Sequence, residues 1–157
     1  MRSKPEKTDS AREEVSQMDF RILPFTIAWY GEAFSLWQQC EGIGLSSADS
    51  KENVQAYLER NQGMSFIAAA GNRLVGSVLA GHDGRRGYIC HLAVALQWRR
   101  RGLGRRLLEK CLEALKEAGI RKCHLFLLNG NAGGLAFWKS AGWLERPELG
   151  VVSKSLG

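Results

Sequence analysis

The spacing of apolar positions along this chain changes period several times, and each change marks an element. Residues 1–17 are polar, with only Ala11 and Val15 as apolar aliphatic residues, and their acidic and basic side chains balance, which predicts a flexible leader. Residues 20–25, "FRILPF", read as a strand. From Thr26 to about Gln39, Ile27, Tyr30, Ala33, Phe34 and Trp37 recur at helical spacing. The loop "EGIGLSSADS" ends in Ser and Asp residues suited to capping a second helix over 51–60. The period then shortens. Residues 64–70 and 73–81 are strand-like and joined by Gly71-Asn72, a two-residue hairpin turn, and Asp83-Gly84 offers another turn before a strand over 88–95. Leu103, Leu107, Cys111, Leu115 and Ala118 form the stripe of a long helix that Gly119 can end. "IRKCHLFLL" reads as a fifth strand, 131–141 as a short helix, and 142–156 as one or two final strands. The order β-α-α-β-β-β-α-β-α-β predicts an α+β fold with one mixed sheet, a single domain over 18–157.

Composition narrows this further. A chain of 157 residues can bury one real core. No apolar run approaches the ~20 residues that cross a bilayer, and the first residues lack the apolar segment of a secretory signal. A cytoplasmic protein without a membrane partner is expected. Cys40, Cys90, Cys111 and Cys123 show no CxxC spacing, and His82, His91 and His124 no HExxH pattern, so reduced thiols and no metal are expected.

Net charge is +6, and five of those charges fall in one stretch, "WRRRGLGRRL", on Arg99, Arg100, Arg101, Arg105 and Arg106. A strand leading through glycines into a helix presents unpartnered N–H groups and the positive end of the dipole, which suits a pyrophosphate. Arginines there oppose the dipole, so an anionic partner is expected to offset them. The spacing is neither GxGxxG nor a P-loop. Nucleic-acid phosphates would satisfy the same charges, with Trp98 stacking on a base. Against that, the rest of the chain is nearly neutral and carries no RRM, KH or helix-turn-helix signature, so no nucleic acid is expected.

Arg99, Gly102 and Gly104 spell RxxGxG, and here the chain resembles the GNAT superfamily of acetyl-CoA-dependent acetyltransferases. "HLAVALQWRRRGLGRRLLEKCLEALKEAGI" is similar to that family's fourth strand, phosphate loop and long helix. "NGNAGGLAFWKSAGW" is similar to its second signature, through Asn131, Phe137, Trp138, Gly142 and Trp143. The specific likeness covers about 88–143. It implies a mostly antiparallel twisted sheet flanked by helices, with splayed fourth and fifth strands. It also implies that Arg99 and the backbone N–H groups of Arg100, Arg101, Gly102, Leu103, Gly104 and Arg105 hold the pyrophosphate of acetyl-CoA. Leu92, Ala93 and Val94 would pair with pantetheine, and the N–H of Leu92 or Val94 would polarise the thioester carbonyl. Asn131 would reach the cofactor, with Phe137 and Trp138 near the sulfur.

The acid-base half departs from the family. Many members carry tyrosine where this chain has Trp138, and an indole N–H is no acid. A branch that acetylates ribosomal-protein N-termini has glutamate where Phe126 stands. Tyr88, on the side of the strand that faces the site in the family, and Glu41, in the loop where the acceptor pocket is usually built, are the substitutes expected to serve proton transfer. In a strand His91 alternates with Cys90 and Leu92, shares its side with Ile89 and Ala93, and reads as a packed or loop-bonded histidine. Cys90 has no paired base and reads as a structural thiol. The expected activity is direct transfer of acetyl to a primary amine by a monomer or homodimer. The alternatives are a non-catalytic acyl-CoA sensor and, less favoured, a nucleic-acid binder.

Overall fold

Gly71 adopts φ 61°, the left-handed value needed at the first central position of a type II′ turn, and so joins β2 (Phe66–Ala70) to β3 (Arg73–His82) in antiparallel register, Ala70 opposite Arg73. The predicted turn after β3 also forms. The Asp83 carboxylate accepts the N–H groups of Arg85 and Arg86, each at 2.8 Å, and these bonds, that of Arg86 first, hold its carboxyl below the usual range. β4 (Gly87–Val94) follows, antiparallel to β3. β1 (Arg21–Pro24) pairs with the far edge of β2, and β5 (Cys123–His124) pairs with β4 in parallel, giving the order β1-β2-β3-β4-β5. These elements come from a computed structural model that describes residues 19–157. The leader expected over 1–17 lies outside the described residues.

α3 (Leu103–Glu117) covers one face of this sheet, burying Leu103, Leu107, Leu108, Cys111 and Leu115 along the predicted stripe. Ala118 instead falls at the exposed C-cap, and Gly119 ends the helix at φ 85°. Close approach is allowed by Gly76 of β3. A Cβ there would lie 2.7 Å from Leu103 Cδ2 and 3.1 Å from Leu107 Cδ1. The other face is covered by α1 (Tyr30–Gln39) and α2 (Lys51–Arg60), which follow short 3-10 turns at Ile27–Trp29 and Ser47–Asp49. Trp37 of α1 is fully buried in a cluster with Phe25, Ala33, Leu36, Val54, Ile67, Leu79 and Ala93. Its indole Nε1 donates to Ser77 Oγ of β3 at 3.0 Å, so even its polar atom is satisfied inside the core.

β3 and β4 do not run in a single register. Ser77 faces Ala93 and Leu79 faces Cys90, so β4 spends one more residue than β3 over the same span. His91, inside that bulge, has φ 52°.

The chain divides into two compact units at Phe126–Leu127. The second, from Leu127 on, holds α4 (Ala132–Ser140), as predicted. Two expectations fail at this end. β5 comprises Cys123 and His124 rather than all of 120–128, and no strand occurs in 142–156. Pro147 has no N–H for a ladder, the chain turns there with Leu149 N–H on Arg146 C=O, and Leu144, Val151, Val152 and Leu156 stay exposed. The apolar residues were present, but no paired edge organises them.

The Gly76 contact predicts that Gly76→Ala overpacks the interface with α3 and costs about 1–3 kcal/mol. Urea unfolding should show a lower midpoint with an unchanged slope.

Candidate active site

A 3-10 turn at Leu96–Trp98 leads from β4 into the arginine stretch. Arg99 Nε donates to Val94 C=O at 3.0 Å, which ties this loop back to the end of β4. Arg100 and Gly102 both take left-handed backbone, φ 62° and 76°. Gly102 is the N-cap of α3, and no side chain caps that end. The first helical bond is from Arg106 N–H to Gly102 C=O at 3.1 Å, so the N–H groups of Leu103 and Gly104 ahead of it have no intrahelical partner. A Cβ at Gly102 would meet nothing within 4 Å, so the approach is open. The arginines are partly spread by their own chain. Arg101 lies over the Trp98 ring at 5.0 Å and Arg106 over Phe20 at 4.7 Å, while those two rings meet edge to face at 6.3 Å. The result is a basic loop in which the Leu103 and Gly104 N–H groups have no intrahelical partner, an arrangement that suits an anion.

β4 supplies the second part. Ala95 N–H donates to Val75 C=O of the neighbouring chain segment at 2.8 Å. Backbone groups alternate along a strand, so those of Val94 and Leu92 point the opposite way, to the edge where β5 would lie. β5 pairs only at Gly87–Cys123 and Tyr88–His124, and beyond Tyr88 that edge has no strand against it. The Val94 carbonyl is used by Arg99, which leaves the N–H groups of Leu92 and Val94 facing outward. Ala93 turns its backbone to β3 and its methyl into the Trp37 cluster.

The side chains on this sheet face are arranged differently from a regular strand. Tyr88 is 36% exposed, with the rings of His124 and Phe126 at 6.1 and 6.5 Å. It stands at the paired end of β4, with Leu92 roughly 13 Å further along. Glu41 lies on an exposed turn after α1. His91 departs from its predicted side. The bulge at φ 52° breaks the alternation, and its ring packs at 4.8 Å from that of Trp37, where its Nε2 meets Asp49 Oδ1 at 2.6 Å. Both side chains are mostly buried, 13% and 10% exposed. Asp49 was read as part of the capping end of a loop whose carboxylates could also serve an acceptor pocket. The one signal was the Ser46-x-x-Asp49 spacing, which the structure uses as a capping box.

In the C-terminal unit, Asn131 caps α4 by accepting Gly134 N–H at 2.9 Å. A Cβ at Gly134 would fall 2.5 Å from Asn131 Nδ2, so glycine there lets the asparagine fold over the helix start. Trp138 lies between Phe137 and Trp143, with ring centres 5.2 and 4.9 Å away.

The model of the acetyltransferase (GNAT) family matches residues 27–143, from the first 3-10 turn to Trp143. The chain belongs to that family. It is an acyltransferase fold throughout the match. An acetyltransferase of Sodalis glossinidius is 22% identical over 127 residues, 81% of this chain and 89% of that protein. An aminoglycoside acetyltransferase from an uncultured soil metagenomic sample, solved with sisomicin, superposes with a TM-score of 0.71 at 17% identity, over 91% of this chain and 99% of that one. AAC(6')-Iy, solved with the bisubstrate analog CoA-S-monomethyl-acetylneamine, gives 0.70 at 16% identity, over 87% and 99%.

Among the site's thiols, this GNAT chain carries Cys90 next to His91. The Cys90 thiol is pushed up to about 12, by desolvation first and by the Asp49 carboxylate second. An acyl-carrying nucleophile must be a thiolate, and at neutral pH Cys90 is not one. Although Cys90 reaches the surface, its alkylation by iodoacetamide at pH 7.4 should run about tenfold or more slower than that of free cysteine. Peptide mapping by mass spectrometry checks this, and the rate should rise about tenfold per pH unit up to pH 10.

Proposed function

We propose that this acetyltransferase moves the acetyl group of acetyl-CoA to a primary amine of a small molecule, by direct attack with both substrates bound. The observation that carries the reading is the continuity of two unpartnered backbone surfaces. The uncapped start of α3 behind Gly102 suits a pyrophosphate. The outward N–H groups of Leu92 and Val94 suit the amides and thioester carbonyl of a pantetheine arm. A pyrophosphate and an extended diamide joined in one molecule is what this surface fits. Arg99, Arg100, Arg101 and Arg105 add charge at the phosphate end, and Arg99 also fixes the loop to Val94. The roles of Asn131, Phe137 and Trp138 toward the coenzyme rest on the sequence signature they share with the family. The soil acetyltransferase bound to sisomicin and the coenzyme analog on AAC(6')-Iy support a small amine and a CoA thioester as the substrate classes.

Binding energy here is used for alignment. Holding the thioester against the β4 N–H groups raises the effective concentration of the reacting atoms and favours charge on the carbonyl oxygen. Tyr88 and Glu41 are the side chains the sequence offered for proton transfer; Tyr88, at the paired end of β4, stands beyond the hydrogen-bond reach of Leu92 that such a role needs, and Glu41 lies on its exposed turn.

Calorimetric titration tests the reading. Acetyl-CoA should bind with a Kd on the order of 10 μM, and Gly102→Glu should weaken it at least about 100-fold, near 3 kcal/mol. The substitution places a carboxylate and a strained backbone at φ 76° where the phosphates would sit. Failure of the unsubstituted protein to bind acetyl-CoA, together with salt-sensitive binding of a short oligonucleotide, would overturn it.

A further inference from the structure

We propose that His91, oriented by Asp49, is the general base that takes the proton from the acceptor amine, an assignment that rests on the acetyltransferase reading above. His91 Nε2 lies 2.6 Å from Asp49 Oδ1. A carboxylate accepts, so in the neutral imidazole the proton sits on Nε2 and the lone pair on Nδ1. Among the described residues, Nδ1 has no hydrogen-bond partner, and no side-chain N or O atom sealed from solvent is left without one. Nothing among the described residues therefore occupies Nδ1, and the His91 side chain, 13% exposed, stands one residue from Leu92 at the open edge of β4.

Asp49 is itself held from several sides. Its Oδ2 accepts Ser46 N–H at 2.9 Å, and its backbone C=O accepts the Tyr30 hydroxyl at 2.6 Å. Trp37 backs the imidazole and is pinned by its bond to Ser77. A left-handed, non-glycine backbone at His91 is costly, and it persists because the surroundings over-determine it. The orientation of an imidazole by a buried carboxylate, with the far nitrogen free, is the arrangement that general-base catalysis requires.

Three other titratable groups lie around the pair. Cys90 of β4 and Tyr30 of α1 are both raised, each by desolvation first and by Asp49 next, and Tyr57 of α2 is raised by desolvation. All three stay neutral in the assay range. Asp49 is then the charge that meets the imidazole, with Glu52 of α2 acting on Tyr30.

The step balances as follows. The ammonium of the acceptor gives a proton to Nδ1, freeing its lone pair. That lone pair forms the N–C bond at the thioester carbonyl, and the C–S bond breaks with its electrons on sulfur. A second proton from the new amide nitrogen neutralises the thiolate, and His91 releases the first to solvent.

Two measurements on the full chain test this. The first is labelling by diethyl pyrocarbonate, mapped by mass spectrometry, which needs no variant. His91 should react faster than His82 and His124, and Asp49→Asn should slow it about tenfold. The second is CoA release from acetyl-CoA with sisomicin as the amine. His91→Gln should bind acetyl-CoA within about twofold of the unsubstituted protein, yet lose about 100-fold or more in kcat together with the acid limb of the pH profile. Asp49→Asn should lower kcat about tenfold with little change in KM. Labelling of His91 slower than that of His82, or a His91→Gln variant that keeps kcat within threefold and the same pH profile, would overturn the assignment. If the unsubstituted protein binds acetyl-CoA without acetylating sisomicin, the acceptor class above is at fault, and the labelling order decides for or against His91.

Discussion

The extra residue in β4, opposite Val78 of β3, is the constraint on which the site depends. A strand in simple alternation would send His91 to the side of Ile89, under α3. With the bulge, Cys90 and His91 both reach the face that Trp37 covers, and Ala93 returns to it afterwards. The same irregularity accompanies the end of pairing with β5, which leaves the N–H groups of Leu92 and Val94 turned outward. One inserted residue thus sets where side-chain chemistry points and where backbone donors point. Its strain is offset by packing: Trp37 is buried and bonded to Ser77, and Asp49 is anchored by Ser46 and Tyr30.

The arginine loop solves a different problem. Five like charges at the positive end of a helix dipole repel, and the structure eases this locally before any ligand arrives. Trp98 and Phe20 take Arg101 and Arg106 on their faces, and Arg99 is used to brace the main chain at Val94. The brace matters for geometry. It links the loop that suits phosphates to the strand edge that suits a thioester, so one continuous stretch of chain presents both surfaces.

What the sequence made legible was local. The glycine turn at Gly71, the stripe on α3 and the RxxGxG loop each follow from a few neighbouring residues, and each formed where expected. The Asp49–His91 pair was hidden for the opposite reason: its members are 42 residues apart, and the parity argument that set His91 aside assumed an unbroken strand. Nothing in "YICHLAVA" announces a bulge. The final strands failed for a related reason. Apolar residues at Leu144, Leu149, Val151, Val152 and Leu156 offer side chains to a strand, while a strand forms only where another edge accepts it. Tyr88 shows the same limit, since its position at the paired end of β4 depended on where β5 stops.

In the proposed complex the acetyl-CoA arm fills the open edge of β4 beyond Tyr88. Amide hydrogen exchange at single-residue resolution, with and without acetyl-CoA, tests it. Fast exchange is expected at Leu92 and Val94 in the free protein, with strong protection of both on binding and protection of Ala95 in either state. Slow exchange at Leu92 and Val94 in the free protein, or exchange unchanged by saturating acetyl-CoA, would contradict it.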